Sequence, residues 1–426
     1  MVYFERLVHL LSRWCDRIAQ GAVVAMMLLV GSNILLRIFW KPIVGTYDWT
    51  GLGGDGMWYN GANWSVTGST WTHPCEETGK YYTNKDCGPI NITNGDTVTT
   101  GGVSTHLSLG DSPVNTATLT IDNSSTFNVV GSLWGGDTNG TLCALNVLNG
   151  SQLTTGNFLD IANGERSIGN AVISNSTVNV GGEFNIARYD ADLGTVTATN
   201  STITTVGHLT ICEDSTAAGK TTGKLYLTNS SLSVGGTLYM NDDSGQNMYS
   251  LVEATDSTIT IALNHYINDD SGPNTEAYFN MTGGSLTCNG LLAVPYVGKG
   301  AKAHMTISGG ADLTYLGAAG INLGVPTWGT LGEARIFLDD GRLQGENLVF
   351  TLTDSMVVYT GGEMWINSAN MTEAQMLALI GTKIDVSGAD YWRITTLGGY
   401  TGLVPEPATM ALLGLGGLAL IRRKRS

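Results

Sequence analysis

The sequence predicts an all-β fold: a parallel β-helix (solenoid) of about 8–10 coils with a period near 26 residues, flanked by an N-terminal and a C-terminal transmembrane helix. Three observations predict it. Glycine makes up 57 of 426 residues while charged residues are only 13%, about half the usual share, a composition that disfavours a helix bundle. A short motif recurs down the middle of the chain. An uncharged apolar run edged by basic residues lies near each end.

Charge sorts the chain the same way. Residues 1–49 hold five Lys/Arg and residues 404–426 hold four, which leaves 12 of the 21 for residues 50–403 against 32 Asp/Glu, a balance of −20. So acidic a middle excludes nucleic acid and disfavours an anionic lipid surface as its partner.

Taken in order, residues 18–36 (IAQGAVVAMMLLVGSNILL) are uncharged and lie between Arg17 and Arg37. Nineteen residues at about 1.5 Å each reach roughly 28 Å, enough to cross a bilayer. No A-x-A-like cleavage site follows, which favours an uncleaved anchor, and Arg6, Arg13 and Arg17 before the span bias the N-terminus to the cytoplasm. The leading amphipathic stretch, the N-x-x-x-R pair Asn33 and Arg37, and the turn Pro42, Gly45, Thr46 and Tyr47 resemble the first helix of the small permease subunit of TRAP dicarboxylate transporters. That family continues with three more membrane helices; here the chain turns polar and Gly-rich. Residues 1–49 therefore read as a borrowed anchor, with a membrane subunit of a TRAP-type transporter as an alternative.

Residues 50–115 read as an N-terminal cap. Trp58, Trp64 and Trp71 follow Trp49 in WTGLGGDGMWYNGANWSV and just after it, an opening that resembles the start of many secreted β-solenoid passengers. A carbohydrate-stacking platform is the functional alternative. Cys75 and Cys87, 12 apart, are a candidate disulfide outside the cytoplasm, whereas Cys143, Cys212 and Cys288 fall at unrelated offsets and read as single core residues.

Residues 116–368 carry the repeats. The turn residues Asn123, Asn149, Asn175, Asn200, Asn229, Asp256, Gly283 and Gly309 are spaced by 26, 26, 25, 29, 27, 27 and 26, with a weaker copy at Asp340 and another leading to Gly361 and Gly362. Within one copy, KLYLT, SLSVG and TLYMN alternate with period two, placing Leu225, Leu227, Leu232, Val234, Leu238 and Met240 on one face of three short strands. Asn-Ser and Gly-Gly between them supply turn dihedrals. Three strands per coil, stacked about 4.8 Å apart, give a parallel β-helix; a propeller blade needs roughly 40 residues. Residues 369–402 close the last coil, with Asn370 or Thr372 capping a short helix before Gly381.

The closing segment, residues 403–426, has three parts: a V-P-E-P box (Val404, Pro405, Glu406, Pro407), a 14-residue apolar run at 408–421, and the basic tail Arg422, Arg423, Lys424 and Arg425. The prolines keep the box extended and exposed, the run can lodge in a bilayer, and the tail holds the end in the cytoplasm. Together they resemble the PEP-CTERM sorting signal, a label shared with the C-terminal domain of some ice-binding proteins. The resemblance implies recognition by a membrane-embedded exosortase-type processing enzyme in a bacterium, plasma-membrane association through both termini during export, and then a cell-surface or extracellular location.

No metalloprotease, nucleophile-elbow, Walker or paired C-x-x-C motif is present. The six histidines are scattered, His208 and His265 lying at roughly comparable rung positions. Acids recur after the third strand of each coil: Asp137; Asp190 and Asp192; Glu213 and Asp214; Asp242 and Asp243; Asp269 and Asp270. In register they form one column, and Asp214, Asp242, Asp243, Asp269 and Asp270 are candidate calcium ligands, although Asp is equally a good turn former. Adjacent acids also raise a polysaccharide-active β-helix enzyme as an alternative, but cationic groups do not recur at one offset. The expectation is a non-enzymatic structural or adhesive protein without a required cofactor, its Thr, Ser and Asn faces offered to extracellular glycan, matrix or ice.

Overall fold

The computed structural model describes residues 46–50, 52–53, 62, 64–67, 76–78, 81–84, 89–100, 106–110, 116–136, 140–213, 220–242, 246–269, 274–294, 301–323, 332–351, 354–389 and 391–406. The two membrane segments expected at 18–36 and 408–421 lie outside the described residues, as do Asn33, Arg37, Pro42, Gly45, Trp58, Trp71, Cys75 and Cys87. Among the described residues no helix is long and apolar enough to cross a membrane.

Three sheets of 14, 13 and 12 strands form the three faces of a parallel β-helix. Nine consecutive rungs between Thr116 and Phe350 each carry three strands. The fifth of them shows the plan: Thr222–Thr228 on the first face, Ser231–Val234 on the second, Leu238–Asp242 on the third. Its neighbours are in strict register, Leu225 opposite Val196 and Val252, Leu232 opposite Ile203 and Ile259. The six residues predicted to face inward, Leu225, Leu227, Leu232, Val234, Leu238 and Met240, are each at most 1% exposed. A buried Leu or Val contributes about 1.5–3 kcal/mol, and every rung contributes several.

The first corner is the Asn-Ser turn, and its geometry explains the residue choice. Asn123, Asn149, Asn175, Asn200, Asn229, Asp256 and Asp340 all have φ between 48° and 57°, and Gly283 and Gly309 take 69° and 60°. That left-handed conformation admits Asn and Asp at low cost and Gly freely. The serine after it is buried. Ser176, Ser201, Ser230 and Ser257 donate to the carbonyls of Ser174, Thr199, Thr228 and Thr255 at 2.7–2.8 Å. Ser201, Ser230 and Ser257 also accept the N–H of the serine one rung earlier at 3.1–3.2 Å, so a hydroxyl ladder runs up this edge.

Two other corners depart from the simple turn reading. At the second corner Gly156, Gly181, Gly207, Gly235 and Gly290 do not sit at positive φ, although Gly320 does, at 67°. They are there because rungs approach closely: a Cβ on Gly156 would lie 2.0 Å from the Val130 carbonyl oxygen. At the third corner Gly110, Gly136, Ala162, Ala187, Cys212, Asn241 and Asn268 stack in one column, all with φ between 54° and 80°. This left-handed arch was not legible in the sequence, because three of its members are Ala or Cys. Immediately after it a small residue faces inward in every rung. Gly194 pairs with Gly169 and Gly223, and a Cβ there would lie 2.6 Å from the Ala187 nitrogen.

The ends are capped by antiparallel strands. Thr46–Trp49 pairs antiparallel with Trp64–Thr67 and parallel with Pro89–Ile92, so Thr46 and Tyr47, matched above to a membrane-protein turn, begin the β-fold, and Tyr47 is fully buried. Trp49 and Trp64 meet edge to face at 5.1 Å and are 4% and 6% exposed; they form cap core and offer no stacking platform. A full rung, Pro89–Ile92, Thr97–Thr99 and His106–Leu109, lies within the segment assigned to this cap. At the other end Thr372 caps the helix α1 (Glu373–Leu379) in a reciprocal capping box with Gln375. Trp392–Leu397 and Tyr400–Pro405 then add an antiparallel hairpin to the second face.

His208 and His265 part company in register. Leu209, Leu238 and His265 form one inward column, so His208, one residue earlier, faces out. His265 is completely buried, its Nδ1 3.0 Å from the Tyr315 hydroxyl and its Nε2 without a partner. Burial pushes its pKa down to about 3.

Two tests follow from this packing. Ser201→Ala strands the buried Ser176 N–H without an acceptor and should cost about 1–3 kcal/mol in urea unfolding, against less than about 0.5 for its exposed neighbour in Thr202→Ala. His265 binds its proton in the unfolded chain near pH 6.5 but in the folded one only near pH 3, so folding stability should fall by about 1.4 kcal/mol per unit as pH drops between those values. The double variant His265→Leu, Tyr315→Phe, which matches the leucines above and below, should lose that share of the slope.

Candidate functional site

Two features organise polar chemistry: an acidic corner on the third face and the C-terminal box. At the corner the register aligns Arg188, Glu213 and Asp242, with Asp269 following Asn268 one rung on. Asp137, Asp214, Asp243 and Asp270 lie outside the described residues, so of the five proposed calcium ligands the structure places Asp242 and Asp269. Asp190 and Asp192 belong to the preceding rung, past Arg188.

What the sequence did not show is the cation in the column. Arg188 grips Glu213 with both ends of its guanidinium, Nε to Oε2 at 3.0 Å and Nη2 to Oε1 at 3.1 Å, with the side chains only 18% and 13% exposed. Arg188 also lies 4.5 Å over the Tyr189 ring. The first acid is thereby neutralised. Among the described residues no group of three or more His, Cys, Asp or Glu is placed to hold a metal ion.

The remaining acids share an open cavity of about 370 Å³ with Glu183, His208, Thr210 and Tyr239. Neighbouring rungs build its aromatic wall: Tyr239 and Tyr266 stack at 5.4 Å, 17° apart, and His208 meets Tyr239 at 5.4 Å. His208 Nδ1 accepts the Thr237 N–H at 2.9 Å, which leaves Nε2 as the outward donor of a neutral ring. Such a groove accepts hydrogen bonds from hydroxyl groups and repels polyanions. The core thiols stay out of it: Cys143, Cys212 and Cys288 are buried and free, and burial raises the pKa of Cys143 and Cys288 to about 11.

The box continues the fold without a linker. Val404 and Pro405 are the last residues of the strand Tyr400–Pro405, paired with Arg393 and Trp392. Val404 is 6% exposed, contrary to the expectation of an open box; Pro405 is exposed and Glu406 half-buried. Pro407, Arg422, Arg423, Lys424 and Arg425 lie outside the described residues.

With this geometry in view, a match to the PEP-CTERM protein-sorting motif over residues 403–425 defines the class: a β-solenoid carrying a bacterial export and sorting signal of the kind processed by an exosortase-type enzyme. The destination such a signal indicates is the cell surface or the extracellular space. No curated protein and no solved structure matches the chain.

Arg188→Met tests the corner. It removes the bidentate partner of Glu213 and should lower stability by about 3 kcal/mol, read as a drop in Tm.

Proposed function

We propose that this protein is a non-enzymatic structural or adhesive element, displayed on or released from the bacterial surface, whose regular outer faces bind extracellular glycan or matrix. The observation that carries the reading is the direct passage of the solenoid's last capping strand into the sorting motif at Val404 and Pro405: the cap and the start of the motif share one strand. The outer surface fits the role. On the second face Thr177, Thr202, Ser231, Thr258 and Ser285 stack in one outward column beyond Gln152, a ladder of hydroxyls with no reacting group in it.

A polysaccharide-active enzyme is the second reading, favoured by Asp242 and Asp269 sharing an open groove with Tyr239. Reducing-end release from a polysaccharide panel, abolished by Asp242→Ala, would establish it in place of the adhesive role.

The sorting step is tested by replacing Pro405, Glu406 and Pro407 with alanine in the native bacterium. The wild-type protein should fractionate with the surface or medium, and the variant should accumulate in the membrane fraction with an unprocessed C-terminus by mass spectrometry. Identical distribution and termini would refute the assignment.

A further inference from the structure

We propose that the C-terminal end of the second face holds a binding pocket for a single neutral sugar residue, which gives the adhesive reading above a specific ligand class. Along most of this face the outward residues are small and hydroxylated. In the last two rungs they become Arg342 and Gln344, then Glu363 and Trp365, paired across the rungs as Arg342 with Glu363 and Gln344 with Trp365. The hairpin that follows turns at Gly398 and Gly399, both at positive φ (60° and 85°), the two-residue turn whose twist suits a tight hairpin. Its tip borders the face, and an open cavity of about 370 Å³ lies between these four side chains and Leu397, Gly398 and Tyr400.

The walls are fixed before any ligand arrives. The Trp365 ring lies on the hairpin backbone, where a Cβ on Gly402 would come within 2.4 Å of its Cε3 atom. Its Nε1–H donates to Glu363 Oε2 at 2.8 Å, which sets the ring orientation. Tyr400 donates its hydroxyl to Glu346 Oε1 at 3.0 Å. Arg342 donates to Gln344 Oε1 at 2.5 Å and reaches Asp312 at 3.5 Å. A preorganised site loses little order on binding.

The chemistry selects the ligand. One side is apolar, formed by Trp365, Tyr400 and by Leu397, which is 70% exposed at the hairpin tip. The other presents a guanidinium, an amide and a carboxylate, planar groups that can bond hydroxyls. A pyranose ring has this division, C–H bonds on its faces and hydroxyls at its rim. Arg342 lies in register between Asp312 and Glu363, two carboxylates to one guanidinium, so an anion gains no uncompensated positive charge. The volume is near the lower limit of ligand pockets, about 300 Å³, which suits one sugar residue.

Saturation-transfer NMR on the mature protein, with methyl glycosides of glucose, galactose, mannose and N-acetylglucosamine as probes and galacturonate as the anionic comparison, is the test. At least one neutral glycoside should bind saturably with a Kd on the order of 1 mM. Leu397→Ser and Gln344→Ala, each folded by melting temperature, should weaken it about 10-fold, and galacturonate should bind about 10-fold more weakly. Absence of saturable transfer for all four glycosides at about 50 mM, or binding unchanged in both variants, would overturn the pocket. Adhesion to extracellular matrix that survives loss of sugar binding would sink this pocket alone, whereas sugar binding by a protein with no adhesion would remove the adhesive reading and leave the pocket standing.

Discussion

Parallel strands stacked in register, about 4.8 Å apart, constrain everything else in this molecule. Each residue lies directly over its counterpart in the next rung, so a choice at one position becomes a choice for a column. Apolar side chains stack into a continuous core, Asn and Asp into a left-handed edge, and serine hydroxyls into a ladder that serves successive backbone N–H groups. Since each rung touches only its neighbours, stability accumulates as a sum of adjacent interfaces. The two ends then need separate solutions, here an antiparallel strand pair at the start and a helix with a hairpin at the finish.

The same constraint decides what can be read from the sequence. The period, the inward Leu/Ile/Val columns and the Asn turns were legible because stacking repeats their identity. The Thr372 cap was legible because capping is local. The third corner was not, since Ala162, Ala187 and Cys212 adopt positive φ under tertiary packing, with no residue preference to announce it. The small residues at Gly169, Gly194 and Gly223 lie inside strands and make room for the arch beside them. His265 was misaligned with His208 by one residue, and in a strand one residue separates core from solvent.

Charge behaves as a column property too. An acid series in consecutive rungs concentrates repulsion unless something intervenes, and on this corner Arg188 answers Glu213 one rung below it. The solution recurs on the first face, where Lys302 sits between Glu276 and Glu333 in register and bonds Glu276 at 2.9 Å. Offset acids were visible in the sequence, but the cations were not, since Arg188 and Lys302 belong to different faces and share no spacing. The overall balance of −20 in residues 50–403 thus coexists with local compensation in these two ladders.

The passage from fold to sorting signal follows from how the last strand is held. Through Leu403 it is bonded on both sides, to Glu363–Asn367 and to Trp392–Leu397. Val404 and Pro405 have a register partner on one side only, and Pro405 lacks an N–H to give. Pairing therefore thins residue by residue across the start of the motif. Because Trp392–Leu397 is the outermost strand of its sheet, it can detach and free the box without disturbing a rung, as local openings draw on the least connected elements first. A signal fused to the rung ladder itself would require breaking the stacking that the whole molecule depends on; placed on the capping hairpin, it is joined rigidly to the passenger yet costs only the hairpin to expose.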